Sequence, residues 1–183
     1  MARIEPLRED EAEADDERRA ALEEVARARG KVTNMKRTLA RSPVALRALM
    51  TWYDLRDEVQ PFLGGRATVL FAHAISAATD CLICSTFFRR LLIDAGDDPD
   101  ALQLDDRESL VVEFGRVLAR DPNGVSDELF GRLSAVFTPE QVVALTAFGG
   151  LMVATNLFNN ALRVDLDEYL WPYRKPAATE ARS

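Results

Sequence analysis

Both cysteines of the chain, Cys81 and Cys84, and its only histidine, His73, fall within twelve residues of the stretch "FAHAISAATDCLICSTFFRR", residues 71–90. Two thiols spaced i, i+3 are neighbours on a helix, and they can close into a disulfide if their side chains turn toward each other. If a helix starts near Asp80, both thiols lie in its first turn, where free backbone N–H groups and the positive end of the dipole favour a thiolate. Such a thiolate attacks peroxides or disulfides, and a second thiol resolves the resulting sulfenic acid. His73, Ala77 and Cys81 follow at i, i+4, i+8, and an imidazole near its reference pKa can take a thiol proton. Two other readings stand beside the redox one: inert core cysteines, and a metal site. A closed zinc site asks for four ligands, which two cysteines and one histidine do not supply. No metal and no cofactor is therefore expected. His73 itself reads equally as a satisfied core histidine.

The elements that must position these residues follow from composition and pattern. The chain has 183 residues, 48 % of them hydrophobic and 29 % charged, with a net charge of −7. That suits one soluble domain with a real core. An acidic chain lacks the basic face that nucleic acid or an anionic membrane surface would need, so neither is expected as a partner. The opening "MARIEPLREDEAEADDERRA" alternates charges without an apolar h-region, which points to the cytoplasm. In that reducing compartment a CxxC pair reads as catalytic or metal-binding rather than as a structural disulfide.

The pattern predicts helices throughout. Residues 1–30, rich in Glu, Arg and Ala, read as a charged helical N-terminal arm. Residues 31–171 read as one all-α domain, and 172–183, with prolines and few apolar residues, as a disordered tail. Ser42-Pro43 starts a helix, as N-cap and N1 proline, in an element that Gly64-Gly65 ends. From Arg66 a second helical pattern runs to about Thr79. Asp80 or Thr79 is expected to cap the cysteine helix, and Gly96 to end it. Asp105 with Glu108, and Thr138-Pro139-Glu140-Gln141, are capping-box starts. The uncharged run 142–158, slightly short for a bilayer span of about 20 residues, reads as a helix buried on nearly all sides, in the core or at a subunit interface. Such a helix in a small domain implies a homo-oligomer.

Three stretches, "NMKRTLARSPVALRALM" (34–50), "ATDCLICSTFFRRLLIDAG" (78–96) and "FTPEQVVALTAFGGLMVATNLFNNAL" (137–162), with the order of helices between them, resemble the superfamily of AhpD-like alkyl hydroperoxidases and carboxymuconolactone decarboxylases. The resemblance implies an AhpD-like helical fold assembled as a homotrimer or hexamer. It implies a thiol-dependent peroxidase or disulfide oxidoreductase in which Cys84 attacks a hydroperoxide or apolar organic substrate, Cys81 resolves, and a dithiol protein regenerates the pair. The superfamily's decarboxylase branch gives the alternative of a decarboxylase or isomerase. A non-catalytic helical oligomer is a third reading, because the family's proton relay is missing. Its Glu position is Val69 and its His position is Phe88. His73, one turn beyond Val69, is the candidate to stand in. Asn156, Asn159 and Asn160 share a helix face, either lining a pocket or tying helices together. Phe87 and Phe88 beside the cysteines read either as a greasy pocket or as core.

Overall fold

A computed structural model of the chain describes residues 1–175, and within them all regular structure is helical. Ten α-helices follow in order: α1 (Glu9–Glu13), α2 (Asp16–Arg29), α3 (Asn34–Leu39), α4 (Pro43–Met50), α5 (Trp52–Leu63), α6 (Gly65–Ala78), α7 (Leu82–Asp94), α8 (Asp106–Arg120), α9 (Asp127–Val136) and α10 (Pro139–Leu162). Short 3-10 turns occupy Pro122–Gly124 and Glu168–Tyr173.

Most boundaries lie where local chemistry dictates. The Ser42 hydroxyl accepts from the Ala45 N–H at 3.4 Å. Asp105 and Glu108 close a reciprocal capping box at 2.8 and 3.1 Å, and Thr138 with Gln141 does the same at 3.3 and 3.0 Å. Each box satisfies two N–H groups that no helical carbonyl can reach. Gly96, with φ of 90°, ends α7 in a conformation that costs a side-chain-bearing residue energy.

Two boundaries differ from expectation. The element predicted from Pro43 to Gly64 is divided at Thr51, whose hydroxyl bonds back to the Ala48 carbonyl at 2.7 Å, giving α4 and α5. The N-cap of α7 is Cys81 itself rather than Thr79 or Asp80. Asp80 instead takes φ of 50°, a left-handed conformation that short Asp side chains tolerate, and this turns the chain sharply between α6 and α7.

The core is organised around α6, which packs on α5, α7, α8 and α10. Its Phe71 is fully buried and stacks on Phe114 and Phe148, with ring centroids 6.2 and 5.9 Å away. Glycines on the two facing helices make room for that ring. A Cβ at Gly115 would lie 3.1 Å from Phe71 Cδ2, and one at Gly149 would lie 3.0 Å from Phe71 Cζ and 2.9 Å from Leu118 Cδ1. Residues 1–30 have a packed side. Leu7, Ala12, Ala21 and Val25 are buried with Leu39, Ala40 and Leu46 in a second apolar cluster. The tail expected over 172–183 lies outside the described residues from residue 176 onward.

α10 is long and apolar enough to cross a membrane by length and composition, but it is a core helix on one side only. Ala144, Leu145, Phe148 and Met152 are buried, whereas Val143 and Leu157 are 69 % and 66 % exposed. Within the single chain, then, one face of the helix is core and the opposite face is uncovered.

The glycine contacts make a paired prediction. Gly149→Ala is expected to lower stability by about 1–3 kcal/mol through overpacking. Gly131→Ala, on α9 with nothing within 4 Å, should raise it by up to about 1 kcal/mol through helix propensity. Urea unfolding of the two variants beside the parent checks both signs.

Candidate active site

The sharp turn at Asp80 places Cys81 at the mouth of α7 and Cys84 one turn in. The Cys81 N–H bonds to the Ser76 carbonyl at 3.0 Å, and its own carbonyl accepts from the Ser85 N–H at 2.9 Å, so the residue is fixed on both sides. The two thiols are free, 0 % and 6 % exposed, and neighbours across the first turn of α7. Their environments differ. The Cys84 S–H, the backbone N–H groups of Cys84 and Ile83, and the Asn159 amide hold the Cys81 thiol below its ordinary range, with burial opposing. The hydrogen bond to Cys81, followed by burial, pushes the Cys84 thiol up. Of the two, Cys81 at the helix N-cap is the more readily ionised, where free N–H groups and the dipole favour a thiolate.

Three amides of α10 hold this corner. Asn156 Nδ2 donates to Thr79 Oγ1 at 2.9 Å and to Ser76 Oγ at 3.4 Å. Asn160 Nδ2 donates to the Thr79 carbonyl at 2.8 Å. Asn159 Nδ2 donates to Cys84 Sγ at 3.3 Å and to Met35 Sδ at 3.4 Å. Asn156 and Asn160 thus tie helices, while Asn159 touches the Cys84 sulfur.

A cavity of about 90 Å³ opens beside Cys84, and Cys81 is not part of its wall. Its apolar lining includes Met35, Met50, Trp52, Phe87, Phe88 and Met152. Its polar lining includes Lys36, Tyr53, Asp167 and Tyr169. The charged members come from outside the cysteine helices. Lys36 on α3 is 3 % exposed and donates to the Lys31 carbonyl at 2.7 Å. Asp167 enters from the segment after α10, whose 3-10 turn packs on α7. Asp167 Oδ1 accepts from the Asn34 N–H at 3.0 Å. Asp167 Oδ2 and Trp52 Nε1 are buried without a hydrogen-bond partner. Nothing in the spacing of residues 31–36 or 165–170 marked them as parts of a site. Their role comes from long-range pairing of two chain segments over α7.

The sequence-predicted residues separate. Cys81 and Cys84 are brought together. His73 is not brought to them: it lines two other clefts beside Asp100, and no hydrogen bond among the described residues joins it to either thiol. Burial, then the charges of Arg89 and Arg116, lower its pKa from 6.5 to about 4. Val69, at the first relay position, lies away from the Cys84 cavity. Phe88, at the second, is in its wall and packs on Trp52 with ring centroids 6.2 Å apart. Arg89 pairs with Asp100 rather than with a thiol. No three His, Cys, Asp or Glu side chains among the described residues converge to hold a metal.

The all-helical chain is similar in fold to AhpD-like structures. Neither a family profile nor a curated protein sequence matches the chain. Solved structures match over nearly its whole length. The debrominase Bmp8 superposes with a TM-score of 0.71 at 16 % identity, covering 93 % of this chain and 95 % of that one. A cysteine-to-alanine variant of Bmp8 in complex with 2,3,4-tribromopyrrole gives 0.73 at 15 %, covering 93 % and 94 %. An alkylhydroperoxidase AhpD core, a peroxidase-related protein from Ralstonia eutropha, gives 0.71 at 22 %, covering 95 % and 98 %. At these identities the likeness is one of fold.

Because His73 is the only histidine, its state can be read directly. Its folded pKa of about 4 lies below the ordinary 6.5, so folding expels a proton. Its contribution to stability is full above about pH 6.5 and is lost as pH falls through about 4. The imidazole resonances in a proton NMR titration are expected to move near pH 4 and to stay fixed from pH 6 to 8. His73→Gln should leave the alkylation rate of both thiols unchanged.

Proposed function

We propose that the chain is a thiol-dependent reductase of small organic hydroperoxides, with Cys84 as the attacking sulfur and Cys81 as the resolving one. One observation carries the reading: of two neighbouring buried thiols, Cys84 and not Cys81 lines the cavity described above. The chemistry closes without a cofactor. The Cys84 sulfur takes the terminal oxygen of the hydroperoxide, the O–O bond breaks, and an alcohol leaves with the thiol proton. Cys81 then displaces water from the Cys84 sulfenic acid to form the disulfide. A partner dithiol protein returns two electrons and two protons. The apolar wall suits a hydroperoxide with a small hydrocarbon or aromatic body. A reducing compartment such as the cytoplasm would keep the pair ready.

A second reading draws on the debrominase likeness and on the aromatic lining of the cavity. The same two thiols can reduce a small aromatic halide, releasing arene and hydrogen halide as the disulfide forms. Both readings need the cysteines. A decarboxylase or isomerase does not, and a non-catalytic oligomer would consume no substrate.

The outward face of α10 supports self-assembly. Val143, Ala147, Gly150, Ala154 and Leu157 recur at alternating steps of four and three with no charge among them. Exposed apolar seams of this kind are normally covered. We assign it to contact between copies of the chain, in a trimer or hexamer.

Cys84→Ser is expected to reduce hydroperoxide consumption to background. Cys81→Ser should allow a single turnover that stops at the sulfenic acid, detected by dimedone capture and mass spectrometry. Survival of peroxide reduction in Cys84→Ser would sink the reading. Leu157→Glu should shift sedimentation from the assembly to the single chain.

A further inference from the structure

The cavity-facing sulfur is the one that holds its proton. Cys84 is nearly sealed, beside Cys81, and placed where the dipole serves its partner first, and Cys81 together with burial pushes its thiol up. A thiol at or above about 8.5 is at most a few per cent thiolate at neutral pH. Cys81 lies outside the cavity wall and cannot return that proton to a leaving group there, so attack by Cys84 needs an acceptor in the same cavity. The two family relay positions, Val69 and Phe88, are apolar, and His73 lies in other clefts. Among the cavity residues, burial raises Tyr169 above its ordinary range, so it keeps its proton at neutral pH. Asp167 is the single carboxylate in the wall.

Resting on the reading that Cys84 is the attacking sulfur, we propose that Asp167 is the proton carrier of the Cys84 cavity, taking the thiol proton and returning it to the leaving alkoxide. Its geometry fits a carrier rather than a structural carboxylate. Oδ1 is anchored by the Asn34 N–H, while Oδ2 is buried with no hydrogen-bond partner. A committed ion pair would not leave that oxygen bare.

The groups facing Asp167 set its proton affinity. Burial raises it above the ordinary carboxylate range, while the Asn34 N–H and the charges of Lys31 and Lys36 restrain the rise. Lys31 lies 3.4 Å over the Tyr169 ring, and Arg90 of α7 lies 5.4 Å over the same ring. Tyr53 of α5 and Cys84 of α7 line the same cavity. A raised carboxylate pKa narrows the gap to the thiol, which is what proton transfer between them requires.

The balance is complete. The Cys84 proton passes to the Asp167 carboxylate, sulfur bonds to the terminal peroxide oxygen, and the O–O bond breaks. The departing alkoxide takes the proton from the Asp167 carboxyl. Cys84 sulfenic acid, an alcohol and an Asp167 carboxylate remain.

The test reads the thiol without relying on peroxidase turnover. Reduced protein is treated with iodoacetamide from pH 5 to 9, and tandem mass spectrometry locates the label on Cys84. The parent is expected to show a limb rising through the ionisation of Asp167, then a plateau. Asp167→Asn keeps an acceptor for the Asn34 N–H but no base. It should react about 10²-fold more slowly at pH 7, with a rate climbing tenfold per pH unit and no limb. An unchanged rate and profile in Asp167→Asn overturns the proposal. In the unaltered chain, carbon-13 NMR of the Asp167 carboxyl must titrate together with the limb, and a limb displaced from that titration also overturns it. If the alkylation behaves as expected but hydroperoxide is not consumed, Asp167 stands and the substrate assignment fails. If hydroperoxide consumption depends on Cys84 but not on Asp167, the function stands and the carrier fails.

Discussion

The site depends on a small cluster of side-chain amide contacts. A long apolar helix is docked onto the sharp corner between α6 and α7 through side-chain amides. Asn156 is fully buried and bonds Thr79 and Ser76, and Asn160 reaches the Thr79 carbonyl. Leaving such a buried donor unmatched costs about 1–3 kcal/mol, so α10 has a single favourable register on the corner. That register delivers Asn159 to the Cys84 sulfur. It also fixes the left-handed turn at Asp80 that turns Cys81 into a helix N-cap. The apolar packing around Phe71 makes the bundle stable, but apolar contact is nondirectional. The amides define how the bundle meets the thiols.

From that register follows a division of labour between two chemically identical side chains. Cys81, at the end of the helix and out of reach of the cavity, is stabilised as an anion by backbone N–H groups and by its neighbour's S–H. Cys84 meets the cavity but holds its proton. A pair with both properties on one sulfur would expose a reactive thiolate permanently to adventitious oxidants. Under the function proposed for the pair, splitting them makes attack conditional on a proton acceptor in the same space. The missing relay positions therefore need not mean lost chemistry. They move the question from α6 and α7 to the segments that cover them.

Much of this was legible in the sequence, and the unread part has a definite physical character. Capping boxes at Asp105 and Thr138, the N1 prolines at Pro43 and Pro139, and Gly96 act over three or four residues and could be read locally. So could the all-α architecture and the pairing of Cys81 with Cys84. The division at Thr51 could not, because the apolar period continues through it and only a hydroxyl back-bond marks the break. The cysteine N-cap was obscured because Asp80 and Thr79 are the better capping residues by propensity, yet the corner places them elsewhere. His73 shows the limit of helical arithmetic. Its i, i+4, i+8 relation to Cys81 assumes a helix that runs through Asp80, and the left-handed turn there removes the shared face.

Asp167 lies beyond any local rule. It is eighty-three residues from Cys84, in a 3-10 segment without an amphipathic period. It enters the cavity because Asn34 binds the segment twice, with its N–H on Asp167 Oδ1 and its side-chain amide on the Asp165 carbonyl at 3.2 Å. The same α3 supplies Met35 and Lys36 to the wall. The cysteine helix thus provides the sulfur, while a clasp between residues near the two ends of the domain provides polarity and closure. Segments joined by two hydrogen bonds can change without disturbing the buried amides of the α6–α7 corner. A fold of this kind can keep its thiol geometry fixed while its proton chemistry and substrate preference are rewritten from outside.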